Sequence, residues 1–446
     1  MQLKLFVCGP TVYDRIHIGN ARTFVVFDAY AKWLRYSGVD LSYIMNITDI
    51  EDKIIARARE YGQDALAYSR ELENKFYEDV KAVGVTSPEY KRATDHIPEV
   101  ISQVERLIAK GYGYEIPNSG IYFDLAKFPD YGKLSGRTKL EDNDAVSRID
   151  ENEKKRNKGD FCIWKVSKSD EPSWDSPWGK GRPGWHIEDT AITEKYFGPQ
   201  YDVHGGGADL KFPHHEAEIA LMESISGLSP FVKKWMHVGF LVNKNAKMSK
   251  SAGNFTTLHD LLQTYSPEAI RFFLLSAHYR SPLDYSEKSL NDSEAATQRF
   301  SEFLRKIDTF EDEMPSDENS IISSIVKNAE LEFSKALESD FNTPRAYAVI
   351  FDLMKEINPM IANRALDQQN AARINKFFEF ISEILGIVSR SAHDVPQLVI
   401  DLMERRERAR RDKNFDKSDE LREQIKSEGY AIDDTAYGPL IKIIQK

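Results

Sequence analysis

The amino-acid sequence predicts an α/β fold: a parallel sheet interrupted by an inserted segment, then an all-α helical bundle and a small C-terminal domain. Three observations carry this. First, "LKLFVCGP" (Leu3 to Pro10) has the apolar content of a short strand and ends in Gly-Pro, and Phe24, Phe27, Ala31 and Leu34 recur at helical spacing between Ala21 and Tyr36. "LSYIMNIT" (Leu41 to Thr48) is the next strand, so the first fifty residues form a βαβ unit, which favours a parallel sheet with ligands at the carboxyl ends of its strands. Second, residues 100–158 break this pattern with a helix, the strand region "GYGYEIPNSGIYFD" and the charged stretch "RIDENEKKRNKGD". Third, beyond Leu283 the chain is almost wholly helical.

Taken in order, residues 1–99 are the first half of the sheet domain, 100–158 a connective insertion and 159–235 the second half, where "FCIWKV", "YDVHGGG" and "FPHHEAEIALMESISG" restore α/β character. In the last of these, Pro213 suits a first helical position and Gly227 a helix stop. Residues 236–290 hold a lysine-containing loop and its surroundings, 291–394 amphipathic helices such as "INKFFEFISEILGIV", and 395–446 one charged helix followed by the strand-turn-strand pattern "YAIDDTAYGPLIKI".

Composition narrows the function classes. A net charge of -11 over 446 residues argues against wholesale attraction to nucleic acid, while leaving room for a local basic face. The two cysteines, Cys8 and Cys162, are far apart and give no disulfide framework, so a reducing cytoplasm is expected. No apolar run approaches a membrane span, and Met1 leads into "QLKLFVCG" without the pattern of a signal peptide.

Four stretches could carry chemistry. "HIGN" (His17 to Asn20) lies between the first strand and first helix, where it serves either as a helix cap or as a phosphate contact. "KMSKS" (Lys247 to Ser251) is either a solvated loop or a pair of lysines able to neutralise charge on a polyphosphate. In "HGGGADLKFPHHEAE", three glycines permit close approach of a ligand, Asp209 can accept from ribose hydroxyls, and His214 and Glu218, four apart, share one helix face as a surface pair or as metal ligands. "GRPGWHIEDT" (Gly181 to Thr190) places Glu188 and Asp189 in a first helical turn, which welcomes negative charge whether or not the site is reactive. Cys8 at a strand end and Asp189 at a helix start could complete a set of four ligands.

Together "VCGPTVYDRIHIGN", "NITDIEDKII", "DFCIWK", "PSWDSPWGKGRPGWHIED", "HGGGADLKFPHHEAEIA" and "KMSKSAGN", in this order, resemble the cysteinyl-tRNA synthetases of class I, and the likeness runs from Leu5 to the terminal "DDTAYGPLIKI". The resemblance implies a Rossmann-like catalytic domain and two-step chemistry: activation of L-cysteine by ATP, with Mg2+, then transfer to the 3′ end of tRNA(Cys). It implies that Gly9, His17, Gly19 and Asn20 meet ATP, that His204, Gly207 and Asp209 line the nucleotide site, and that Lys247 and Lys250 stabilise the transition state. It places Thr48 and Trp185 in the amino-acid pocket, and Zn2+ on Cys8, Asp189, His214 and Glu218. The 395–446 segment matches the family's anticodon-end domain, and a cytoplasmic monomer is expected.

This chain departs from the family pattern at Asn20, the fourth residue of the HIGH motif, in a short strand before Cys8, and at Asp189, where the family has a second zinc-binding cysteine. A carboxylate there keeps the ligand charge and an ordinary zinc donor; the other outcome is loss of zinc. Two further functions are open at this stage. One is a tRNA-independent cysteine ligase of the mycothiol-pathway type, which has no need of the terminal helix with its "RRERARRDK"; the other is a catalytically silent RNA-binding paralogue, which has no need of an intact KMSKS, HGGGAD and Trp185.

Overall fold

The computed structural model describes residues 2–137, 152–243, 246–247, 256–308, 310, 318–363, 365–388, 396–435 and 438–443. The chain forms two compact units, Met1–Glu294 with Ser339–Pro344, and Ala295–Glu338 with Arg345–Lys446.

The first unit opens with β1 (Leu3–Val7), α1 (Ile18–Tyr36) and β2 (Leu41–Ile47), the βαβ unit expected from the apolar spacing. α2 (Asp52–Glu60), α3 (Ala65–Ala82) and β3 (Glu89–Arg92) follow. With β8 (Tyr201–Gly207) and β9 (Val232–Val238) these strands make a five-stranded sheet of order β3-β2-β1-β8-β9, parallel at every pairing. Chain order reverses between β1 and β8, the switch point where sheets of this kind bind ligands at their carboxyl edge. Cys8 stands at that edge, its N–H bonded to Gly205 O at 2.9 Å. α1 is buried on more than one face, and its interior cation Arg22 is satisfied by the carbonyls of Gly239 and Ser281 at 2.8 and 2.9 Å.

The insertion extends further than its composition suggested. α4 (Ile97–Ala109) precedes β4 (Gly113–Ile116) and β5 (Gly120–Phe123), which with β6 (Phe161–Val166) and β7 (Gly181–Pro183) form a separate four-stranded sheet of order β4-β5-β6-β7, antiparallel at every pairing. "FCIWKV", expected in the parallel sheet, belongs to this one: it pairs antiparallel with β5 and β7, and Phe161 and Trp164 are buried in the same core cluster as residues of α4. α5 (Ile187–Phe197) and α6 (Glu216–Ser226) then flank β8, and Gly227 at φ +74° ends α6 as expected. Pro213 does not begin α6; it sits in a separate, wider turn, Lys211–His215. β10 (Leu241–Asn243), β11 (Ala246–Lys247), α7 (Leu258–Leu262), α8 (Pro267–Leu275) and β12 (Leu283–Asp284) complete this stretch.

The remaining helices are α9 (Glu287–Ile307), α10 (Glu318–Glu338), α11 (Thr343–Ala362), α12 (Gln368–Leu385), α13 (Gln397–Arg411) and α14 (Phe415–Ser427), followed by the hairpin β13 (Tyr430–Thr435) and β14 (Gly438–Ile443). The single terminal helix expected from sequence is two: Lys413 takes a positive φ, and Asn414 caps α14 by accepting from Lys417 N. In the basic run, Arg406 is buried and forks onto Asp434 at 2.7 Å, so at least one of its cations is structural.

Candidate active site and metal centre

Three elements bring one cluster to the switch point. The β1–β8 pairing sets Phe6 opposite His204 and Val7 opposite Gly205, which leaves Cys8 facing the start of α5 and the His214–Glu218 face leading into α6. Cys8 Sγ lies 3.2 Å from Asp189 Oδ2 and 3.8 Å from Glu218 Oε1; His214 Nε2 lies 3.1 Å from Asp189 Oδ2 and 3.0 Å from Glu218 Oε1. All four residues are buried, and their donor atoms lie within 4.8 Å of one another, so the four expected ligands converge.

The electrostatics of this cluster favour a cation. Burial raises the Cys8 thiol well above its ordinary range, and Asp189 and Glu218 add to the shift. Burial likewise pushes Glu218 up to about 7 although His214 opposes it. For His214, burial pulls downward, but Glu218 and Asp189 outweigh it and hold the imidazolium to about 10. Asp189 Oδ1 is buried without a hydrogen-bond partner. Two carboxylates and a thiol thus surround one imidazolium, and a divalent cation would balance the same groups more fully.

Further side chains pack on the cluster and hydrogen-bond to its neighbours. Trp185, exposed to the cleft side, stacks on His214 with ring centroids 4.5 Å apart. His186, the residue before α5, places Nδ1 2.8 Å from His214 Nδ1. Thr48 donates a short hydrogen bond to Glu188 and accepts from Asn46 Nδ2 at 3.3 Å, while Asn46 Oδ1 accepts from Gly9 N at 2.6 Å. Asn46 is a site residue that the sequence did not single out, its only signal being its place in "NITD" two residues before Thr48; Glu188 was expected only as an acidic residue of a first helical turn that is reactive or merely capped.

The cluster opens into a cleft of about 500 Å³. Cys8, Asp189, His214, Trp185 and Thr48 line one part of it; Gly9, His17, Gly19, Asn20, Gly207 and Asp209 also line it. His17 is the N-cap of α1, its Nδ1 accepting from Asn20 N at 3.2 Å. A Cβ on Gly19 would lie 2.8 Å from the His17 ring, so glycine there makes room for the imidazole. The amides of this first turn are partly committed, since Ile18 N donates to Thr256 O at 3.1 Å.

Two expectations change. His204 does not line the cleft: it is fully buried behind Cys8, with Nε2 3.4 Å from Sγ. The glycines of "HGGGAD" make room for the protein's own groups, since Cβ atoms would lie 2.2 Å from Phe27 at Gly205, 2.9 Å from His215 at Gly206 and 2.6 Å from Asp209 at Gly207. Lys250 lies outside the described residues, as does the side chain of Lys247, whose backbone pairs with Val242.

Residues 1–295 match the family profile of "tRNA synthetases class I (C) catalytic domain", and residues 332–389 match the "DALR domain". The chain is 41% identical to a cysteine–tRNA ligase of Carboxydothermus hydrogenoformans over 98% of its own length and 94% of that protein, and 40% identical to one of Thermococcus onnurineus over 99% and 95%. Its fold is similar to Mycobacterium tuberculosis methionyl-tRNA synthetase in complex with methionyl-adenylate, with a TM-score of 0.62 at 15% identity, covering 87% of this chain and 90% of that one. No helix among the described residues is long and apolar enough to cross a membrane. A class I catalytic domain over the unit that holds the cluster, joined to full-length likeness at about 40% identity, means that the chain belongs to the cysteine–tRNA ligase family.

Proposed function

We propose that this chain uses ATP to activate L-cysteine as cysteinyl-adenylate, releasing pyrophosphate, and transfers the cysteinyl group to the 3′ end of tRNA(Cys). The observation that carries the reading is the convergence of Cys8, Asp189, His214 and Glu218, the first three of them lining the cleft that also receives the start of α1. One sulfur, one nitrogen and two oxygen donors fit zinc, and the partnerless Asp189 Oδ1 adds to the fit. When bound there, zinc supplies a soft Lewis-acidic centre that takes a thiolate far more readily than a neutral hydroxyl, which selects cysteine over serine.

The protein groups divide the remaining work. Trp185 walls the amino-acid pocket over His214, and the Thr48 hydroxyl, with its proton given to Glu188, offers an oxygen lone pair to the substrate's ammonium. Gly9, Gly19, His17 and Asn20 face the ATP phosphates, and Asp209 beside Gly207 accepts from ribose hydroxyls. Lys247 and Lys250 stabilise the charge that develops on the α-phosphate and the departing pyrophosphate, with Mg2+ entering on ATP. α13, α14 and the terminal hairpin serve tRNA; the likeness to cysteine–tRNA ligases through this region disfavours a tRNA-independent ligase.

The test is exchange of pyrophosphate into ATP across the protein amino acids, with zinc counted per chain on protein purified without chelator. Cysteine should drive exchange and serine should not; serine rivalling cysteine would overturn the selection argument. Zinc far below one per chain with cysteine activation intact would remove the metal from it.

A further inference from the structure

Behind the cleft lies a second set of donors, two of which, His204 and His215, the function above does not use. Cys8, His204, His215 and Glu218 also bring four ligand atoms within 4.8 Å of one another, all buried. Cys8 Sγ is 3.4 Å from His204 Nε2 and 3.3 Å from His215 Nε2. Each ring's other nitrogen is already engaged: His204 Nδ1 lies 2.6 Å from the Tyr201 hydroxyl and 3.3 Å from Glu218 Oε2, and His215 Nδ1 lies 2.8 Å from His237 Nε2. That is how metal-binding imidazoles are held, one nitrogen fixed by an outer partner and the other aimed inward. Gly206 makes the placement possible, because a Cβ there would come within 2.9 Å of the His215 ring.

We propose that Cys8, His204, His215 and Glu218 form a second seat for the metal ion, behind the seat that faces the substrate. The two seats share Cys8 and Glu218, so the proposal rests on the reading of those two residues as metal ligands. Their charge balance differs. In the front seat a thiolate and two carboxylates exceed the charge of one dication, whereas in the rear seat a thiolate and one carboxylate match it, with two neutral imidazoles completing the set. Sulfur with two nitrogens is also nearer to zinc's common ligand sets than sulfur with two oxygens. Access differs too: Asp189 and His214 line the cleft, and His204 and His215 do not. An ion in the rear seat is therefore held by the protein but out of the substrate's reach. The aspartate at position 189 sets how the ion divides between the two.

The test uses cobalt(II) alone as the probe on the purified full chain, read by metal per chain and by the thiolate-to-cobalt absorption. The wild type should bind about one ion, and Asp189→Ala should still bind about one, with thiolate absorption that no longer changes when L-cysteine is added. Adding His204→Gln and His215→Gln to Asp189→Ala should abolish binding. Asp189→Asn, closer in shape, gives the same reading if the alanine variant fails to fold. Loss of cobalt from Asp189→Ala with a native circular dichroism spectrum overturns the rear seat. So does a retained cobalt spectrum that still responds to L-cysteine. A wild type that binds no cobalt removes both seats, and so separates failure of the functional reading from failure of this one.

Discussion

Gly9→Ala should damage the metal site and the fold together. Gly9 follows Cys8 where β1 ends, and a Cβ there would lie 1.8 Å from Asn46 O and 2.9 Å from both Asn46 C and Met45 Cγ. The nearest of these is backbone, so no rotamer relieves it. Reaching ordinary contact at 3.4 Å requires the end of β1 to separate from β2 by the difference, 3.4 − 1.8 = 1.6 Å. That separation breaks the 2.6 Å bond from Gly9 N to Asn46 Oδ1 and carries Cys8 with it. Metal sites tolerate roughly 0.2 Å in ligand distance, so zinc affinity should fall steeply. Overpacking of this kind costs about 1–3 kcal/mol, which lowers the melting temperature of a unit this large by roughly 2–6 °C. The assay pairs thermal unfolding with zinc per chain. Gly38→Ala is the control, because a Cβ at Gly38 meets nothing within 4 Å and only its φ of +81° is strained; it should lose stability and keep zinc. Wild-type zinc content and melting temperature in Gly9→Ala would refute the reasoning.

Further outcomes follow from the same geometry. Lys250→Ala should slow cysteine activation on the order of 100-fold or more with little change in the KM for cysteine; an unchanged activation rate in single-turnover kinetics would remove the lysine from the mechanism. Thr48→Val strips the buried Glu188 of its hydroxyl donor, at a cost of about 1–3 kcal/mol, and should raise the KM for cysteine more than it lowers kcat. Equal steady-state constants would exclude Thr48 from the pocket. Asp434, hydrogen-bonded first by Arg406 and then by Arg410, is held down to about 2 despite partial burial. A depressed folded-state value contributes stability above the unfolded value of about 3.9 and loses it as pH falls toward 2. Asp434→Asn should therefore flatten the acid dependence of unfolding in that window for the second unit, monitored by circular dichroism; an unchanged slope would refute it.

The carboxyl-edge location was legible because strands that end in Gly-Pro or Gly-Gly announce where a parallel sheet delivers its loops, as at Cys8 and Gly205. The expected ligands were reachable for a local reason as well: His214 and Glu218 are four apart, and Asp189 opens a helix behind a Gly-Arg-Pro-Gly loop. The rear pair was not, since the contact of His204 with Cys8 depends on β1 pairing with β8 across 196 residues, and no local pattern encodes that register. Buried cations were equally hidden. Arg22 looks like an exposed position on α1, yet the carbonyls of Gly239 and Ser281 receive it, and Arg271 reaches Asp28 at 3.0 Å from a helix 243 residues away. The strands of the insertion were misplaced because "FCIWKV" is apolar enough for either sheet, and its partner β5 lies across the charged stretch.

Helix capping and chemistry use the same atoms in this protein. The backbone N–H of Asn20 can only donate, so His17 Nδ1, which receives it, is unprotonated, and the neutral ring carries its proton on Nε2. The cap thereby sets the tautomer and turns Nε2–H into a donor suited to a phosphate oxygen. Gly19 enforces the arrangement, since any Cβ would displace the ring that caps the helix. The start of α5 follows the same logic with opposite charge. Its first turn is a position that suits acidic side chains on any helix, and here it sets Asp189 beside Cys8, His214 and Glu218. At the start of α1, a substitution of His17 thus removes the helix cap together with the proposed phosphate donor, and at the start of α5 the first helical turn is what carries Asp189 to the cluster.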